Sequence, residues 1–257
     1  MIEPAHARCK SSSKLGFCSL TRSFHLSPLT TLRVIEPAHA RCKSSSKLGF
    51  CSLTRSFHLL LTMLDNLKKY KIILASASPR RRELLAGLDV DFVVRALPDV
   101  DESFPADLQG GDIPLYISKK KADAYRPVMA DDELVITADT IVWLDGVALG
   151  KPANAADAKR MLRNMSGKAH SVFTGVAITT KQEQRCFVAK SDVTFAELTD
   201  EEIDYYVQKY RPMDKAGSYG VQEWIGYIGI TGINGSYFNV MGLPVQRLYS
   251  ELRKVKG

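Results

Sequence analysis

The run Ile72-Ile73-Leu74-Ala75-Ser76-Ala77-Ser78-Pro79-Arg80-Arg81-Arg82-Glu83-Leu84-Leu85 constrains this chain more than any other feature. Ile72 to Ala75 form a short apolar run of buried-strand type. A polar turn follows, and then a helix start: Ser78 suits the N-cap, and Pro79 suits the first helical position, where a missing N–H costs nothing. Leu84, Leu85 and Leu88 mark one apolar helix face, with Gly87 near its end. A strand feeding a helix through a tight turn presents free backbone N–H groups at the positive end of the helix, which is an anion site. Arg80 and Arg81 add guanidinium forks that match phosphate oxygens. From local physics alone, an ordinary capped helix with a solvated arginine run reads equally well.

The pattern continues along the chain. Asp91 to Arg95 reads as a second short strand, Pro98 to Gly111 as a loop, and Ile113 to Tyr125 as a helix carrying Lys119, Lys120 and Lys121. Leu134 to Ala138 reads as a buried strand ending at Asp139-Thr140. Val142 to Ala148 looks like a strand pair around an Asp145-Gly146 turn. Asn154 caps a helix through Met165, and Asp157 lies three residues on. His170 to Thr179 and Arg185 to Phe195 alternate in strand fashion. Thr199 starts a helix that ends near Tyr210, and Leu243 to Val255 closes the chain as a helix. Hairpins mixed with α/β units predict an α/β fold with a mixed central sheet.

The net charge of +7 suggests a nucleic-acid partner until it is located. Residues 1–62 hold nine of the 35 basic residues and two of the 28 acidic ones, leaving 26 of each beyond. The main body is neutral, so no basic field steers it to nucleic acid. Ile2 to Leu26 is repeated letter for letter as Ile35 to Leu59. Structural repeats drift in sequence, and at least three are needed to bury a core. The segment therefore reads as a disordered extension without function, from a recent duplication or translated upstream sequence, with the domain at 63–257 and Met63 as a plausible start. A transit peptide is the other option. Four of the five cysteines lie there (Cys9, Cys18, Cys42, Cys51), but the close pairs of zinc sites are absent. No apolar run approaches the ~20 residues of a membrane span. Cys186 alone remains in the body, which points to a reducing cytoplasm.

Several positions in the body carry chemistry. Asp139, after a buried strand, can ligate Mg²⁺ or take a proton from water. Glu102 is a second carboxylate, in a loop. Lys151 sits between Gly150 and Pro152, which give its ammonium a constrained origin. Lys121 taken alone is a solvated helix residue. Asp214 to Gln222 is a Gly-rich loop. No Walker A or G-x-G-x-x-G pattern occurs, and no Ser–His pair is evident. Phosphate-oriented cations beside hard-cation carboxylates suit metal-assisted hydrolysis of a polyphosphate.

The ordered motifs are Ser76-Ala77-Ser78-Pro79-Arg80-Arg81, Lys121-Ala122, Ala138-Asp139-Thr140, Gly150-Lys151-Pro152, Ser166-Gly167 with His170, Thr174-Gly175-Val176, Asp214-Lys215-Ala216-Gly217, and Asn239-Val240-Met241-Gly242-Leu243-Pro244. The series resembles the Maf (septum formation inhibitor) family of nucleoside triphosphate pyrophosphatases over about residues 70–255. The resemblance implies a mixed sheet with helices on both sides, in two lobes around a substrate cleft, related to the inosine triphosphatases. It implies hydrolysis of a nucleoside triphosphate to the monophosphate and pyrophosphate with a divalent cation, Mg or Mn. Asp139 would be the proton acceptor, and Glu102 and Asp139 would hold the metal. Ser78, Arg80, Arg81, Lys121, Thr140, Lys151 and Gln222 would bind substrate, with Arg80, Thr140 and Gln222 tied to substrate choice. The Arg-Arg pair and Tyr219-Gly220-Val221-Gln222 look like the branch acting on dTTP and UTP, although Glu223 stands where a small residue is common. A 7-methyl-GTP pyrophosphatase and a non-catalytic nucleotide-binding regulator of cell division are the alternatives. A cytoplasmic homodimer is expected.

Overall fold

The computed structural model describes residues 63–97 and 100–256, and the expectation for the duplicated segment 1–62 lies outside the described residues. The sheet contains β1 (Lys71–Leu74), β2 (Phe92–Val94), β3 (Glu133–Leu144), β4 (Val147–Leu149), β5 (Ala169–Thr179), β6 (Gln184–Phe195) and β7 (Ile230–Asn234). Their order is β2-β1-β3-β5-β6-β7, with β4 also on β3. β1 runs parallel to both β2 and β3, which demands crossovers, and α1 (Pro79–Ala86) and α2 (Asp112–Tyr125) supply them. β3, β5, β6 and β7 pair antiparallel, so the sheet is mixed as expected. The remaining helices are α3 (Ala155–Met165), α4 (Asp200–Tyr210), α5 (Trp224–Gly229), α6 (Tyr237–Met241) and α7 (Val245–Leu252).

β3 departs from the sequence reading. The strand does not end at Asp139-Thr140 but runs on to Leu144. β1 covers its edge only from Glu133 to Ile136, and β4 covers it again from Val142 to Leu144. Between them, among the described residues, 137–141 have a strand on one side only, β5. After β1 the chain turns out of the sheet through residues 75–78 into α1, which Pro79 begins at its first position, where no backbone donor is needed. The unpaired stretch is a gap in the sheet edge, and Ala138, Asp139 and Thr140 occupy it.

Successive side chains of a strand face opposite ways, so β3 divides the molecule. On one face, Ile141 packs with Ile113 and Ile117 of α2, and Val135 packs with Ile73 and Tyr125. On the other face lie two larger clusters. Leu134, Ile136 and Ala138 join Leu84, Leu85, Leu248 and Leu252 of α1 and α7. Val142 and Leu144 join Ala158, Leu162, Ile203 and Tyr206 of α3 and α4. Helices thus cover both faces. The two clusters are the physical content of two lobes, and the gap lies where β3 passes between them.

Local signals hold at several termini. The Asn154 side chain accepts from the Asp157 amide, and Thr199 and Glu202 form a reciprocal capping box on α4. The hairpin turn has Asp145 at φ 50° and Gly146 at φ 82°, the left-handed pair that such turns need. The closing helix is shorter than its apolar pattern: Gly242 ends α6 at φ 116° and Pro244 starts α7. Among the described residues no helix is long and apolar enough to cross a membrane.

Candidate active site

The gap in the sheet edge opens into a cavity of about 730 Å³, lined by all nine residues expected to form a site: Ser78, Arg80, Arg81, Glu102, Lys121, Asp139, Thr140, Lys151 and Gln222. That volume suits a small-molecule ligand.

The acidic side is organised by Lys121. From α2, its ammonium lies 2.8 Å from Asp139 Oδ1 and 2.8 Å from Glu102 Oε1. Its side chain is only 15% exposed, so it is no solvated helix residue. The approach depends on Gly175, which pairs with Asp139 across the ladder. A Cβ there would stand 2.3 Å from the Pro114 carbonyl oxygen and 2.4 Å from the Leu115 nitrogen. Only glycine lets α2 sit on β5 closely enough for Lys121 to reach Asp139. Burial pushes the Glu102 carboxyl up, but Lys121, with more distant help from Lys151 and Arg81, holds it below the usual carboxylate range. Among the described residues no group of three or more His, Cys, Asp or Glu forms a cation cage. Glu102 and Asp139 nonetheless fit a hard divalent cation of the Mg²⁺ class, which takes one or two carboxylates and completes its shell with phosphate oxygens and water.

The turn after β1 differs from a simple anion cradle. Ser78 occupies the N-cap of α1, yet its hydroxyl makes no cap hydrogen bond. The first-turn amides are therefore not taken by a side-chain cap. Arg80 points across the cavity to Asp214, 3.1 Å away. Arg81 turns inward instead. Its Nε donates to Gly242 O at 2.8 Å, one terminal nitrogen to Ala138 O at 2.8 Å and Ser76 Oγ at 3.5 Å, and the other to Thr140 Oγ1 at 3.0 Å. Four of the five N–H groups of a guanidinium are thus engaged by protein, tying β1's turn, β3 and the end of α6 together. Burial lowers the Arg81 pKa and Asp139 partly restores it.

The far wall is the Gly-rich loop. Asp214 bridges Arg80 to Lys215, whose ammonium is 2.8 Å from Asp214 Oδ1 and 3.0 Å from Glu223 Oε1. Glu223 also accepts from the Tyr206 hydroxyl of α4, which itself receives the Gly220 amide at 3.0 Å. This explains the acid beside Gln222: it neutralises the buried Lys215 and anchors the loop that presents Gln222 to the cavity. Gly150, next to the exposed Lys151, accepts from Gly217 N at 3.0 Å, which ties that loop to the same wall. Sequence reasoning marked Asp214 to Gln222 as a loop among the chemistry-bearing positions but gave Asp214 and Lys215 no role, and it missed Glu223, Gly175, Thr174 and Asn239, although each lies in or beside a quoted motif.

The Maf-like protein family model matches residues 71–255. Curated relatives named dTTP/UTP pyrophosphatase include one from Bacteroides thetaiotaomicron, 66% identical over 193 residues, which are 75% of this chain and 100% of that protein. One from Phocaeicola vulgatus is 65% identical with the same coverage, and one from Flavobacterium johnsoniae is 46% identical over 73% of this chain and 96% of that protein. The crystal structure of a nucleoside-triphosphatase, a dITP/XTP pyrophosphatase from Mycobacterium abscessus, shares 17% identity at a TM-score of 0.27, covering 55% of this chain and 95% of that one. That likeness is too distant to speak to the cleft. The family match spans the sheet, the gap in its edge and every residue of the cavity wall, and the chain belongs to the Maf-like protein family.

Proposed function

We propose that this chain hydrolyses dTTP and UTP to the monophosphate and pyrophosphate. The observation that carries the reading is the Lys121 ammonium held between Asp139 and Glu102 in a cavity that Arg80 and Lys151 also line. The names of the relatives supply the choice of nucleotide.

Asp139 accepts the proton of the attacking water, and Lys121, 2.8 Å from its Oδ1, holds the carboxylate in place. Water forms the new P–O bond, the α–β phosphoanhydride breaks, and pyrophosphate leaves with its charge met by Arg80, Lys151 and the first-turn amides of α1. Asp214 releases Arg80 to the phosphates, since a phosphate group offers the guanidinium a bidentate partner. Arg81 contributes its one remaining N–H and chiefly fixes the turn. A divalent cation held by Glu102 and Asp139 would neutralise phosphate charge. Exposed Tyr227, Tyr237 and Phe238 are apolar surface that the expected second copy could cover, and sedimentation would test that dimer.

Pyrophosphate release from a panel of nucleoside triphosphates with Mg²⁺ tests the reading. dTTP and UTP should lead the panel. Asp139→Asn should lower kcat by about 10²-fold or more while nucleotide binding persists. Release from no nucleotide, or full turnover by Asp139→Asn, would overturn it.

A further inference from the structure

Thr140 carries a hydroxyl at the cavity wall, and the groups behind it decide where its proton points. Arg81 donates to Thr140 Oγ1 at 3.0 Å. Thr140 Oγ1 and Thr174 Oγ1 are 2.9 Å apart. Thr174 Oγ1 lies 3.2 Å from the Asn239 backbone carbonyl. A guanidinium only donates, a carbonyl only accepts, and each hydroxyl has one proton. The chain of bonds therefore runs one way: Arg81 to Thr140, Thr140 to Thr174, Thr174 to the Asn239 carbonyl. Thr140 keeps no proton for the cavity and presents one lone pair.

The surroundings hold this polarity in place. Thr174 and Asn239 are fully buried. The Asn239 side chain donates to Val172 O at 3.1 Å and to Ser191 Oγ at 3.0 Å, clamping its own backbone carbonyl over β5. Arg81 is fixed through Gly242 O and Ala138 O.

We propose that Thr174 and Asn239 are positioning residues that leave Thr140, already tied to substrate choice by the family resemblance, as an acceptor-only contact for a hydrogen-bond donor on the nucleoside. The inference rests on the nucleotide reading above and deepens it. A pyrimidine nucleoside offers two such donors: the imide N3–H of uracil or thymine, and the 3′-hydroxyl of the sugar. Cytosine places a lone pair where the imide has its proton, and two facing lone pairs repel. A 3′-fluoro sugar does the same at the other position.

The test uses the full chain, with Thr174→Val to remove the relay hydroxyl at constant volume and Thr174→Ser to restore it. Calorimetry with α,β-methylene analogues reads two binding ratios, UTP over CTP and dTTP over 3′-fluoro-dTTP, and pyrophosphate release gives the matching kcat/KM ratios. Without its partner, Thr140 regains a free proton and tolerates an acceptor. One of the two ratios should then fall by about 10-fold in Thr174→Val and return in Thr174→Ser. Which ratio moves tells base from sugar. Loss of affinity shared equally by every nucleotide, with both ratios unchanged, would show a merely structural hydroxyl and overturn the proposal. Wild-type protein that binds the analogues with these ratios but releases no pyrophosphate would refute the hydrolase reading and leave the relay standing. Wild-type protein that binds no nucleotide would refute both.

Discussion

Gly175→Ala is the sharpest test of how the fold makes the acidic half of the site. The added Cβ would lie 2.3 Å from Pro114 O and 2.4 Å from Leu115 N, where ordinary contact begins at 3.4 Å. Both obstacles are helix backbone, so no rotamer change can relieve them, and α2 must retreat by about 1 Å to restore normal contact. Ile113, Ile117 and Tyr125 bind that helix to the sheet, so the retreat loosens packing along its length. Overpacking of this kind costs about 3 kcal/mol, at the upper end of the usual range, which for a domain of this size lowers Tm by about 6–12 °C. The retreat also carries Lys121 away from Asp139, and a 1 Å misplacement of a working group costs about 10²-fold in rate. Calorimetric melting and pyrophosphate release from UTP read the two effects separately. Gly232→Ala is the control, because a Cβ there meets nothing nearer than 4.0 Å. If Gly175→Ala matches Gly232→Ala in both Tm and kcat/KM, the close approach of α2 is not what places Lys121.

Two further outcomes follow from buried charges. His170 is buried with Nε2 2.8 Å from the Tyr219 hydroxyl and Nδ1 without a partner among the described residues; burial lowers its pKa to about 4 although Asp192 opposes this. The unfolded chain takes up the proton first, so stability should fall as pH drops from about 6.5 to about 4, by about 3 kcal/mol in all, and urea midpoints across that window should lose this slope in the double variant His170→Phe, Tyr219→Phe; an unchanged slope refutes it. Glu223→Ala leaves the Lys215 ammonium, 8% exposed, with Asp214 as its remaining carboxylate; it should cost about 3 kcal/mol and raise KM for UTP through the loosened loop at Gln222, and a Tm equal to wild type would exclude that role.

The strand–turn–helix at Ile72–Leu85 was readable because its signals are local: an apolar run, a proline, a helical leucine pattern. The hairpin at Asp145-Gly146 and the caps at Asn154 and Thr199 were readable for the same reason. The short α5, α6 and β7 were not, because runs of five or six residues carry too little periodicity to separate helix from loop. Arg81 shows the limit more clearly. Side by side in sequence, Arg80 and Arg81 look like one phosphate fork, but only the fold reveals that Arg81 faces two carbonyls and a threonine while Arg80 faces the cavity. Lys121 is the reverse case: taken alone, three lysines in a row read as a solvated face, and only the ordered motifs singled out Lys121; the close packing of α2 over Gly175 then brings its ammonium to Asp139 and Glu102.

Asp139 and Thr140 bring these points together. Consecutive residues in a strand point to opposite faces, and in an ordinary sheet one cavity could not use both. Among the described residues the strand lacks a neighbouring strand on one edge from 137 to 141, so a ligand at that edge meets both faces at once. Asp139 turns toward α2 and its lysine; Thr140 turns toward Arg81, Thr174 and the α6 backbone. The proposed proton transfer and the proposed nucleoside reading thus lie on the two sides of this gap, apart by the thickness of one strand. Loss of turnover in Asp139→Asn and change of preference in Thr174→Val should accordingly be independent, with the binding ratios of the double variant equal to those of Thr174→Val alone. A double variant whose binding preference shifts further would mean that the two faces are coupled through β3 rather than divided by it.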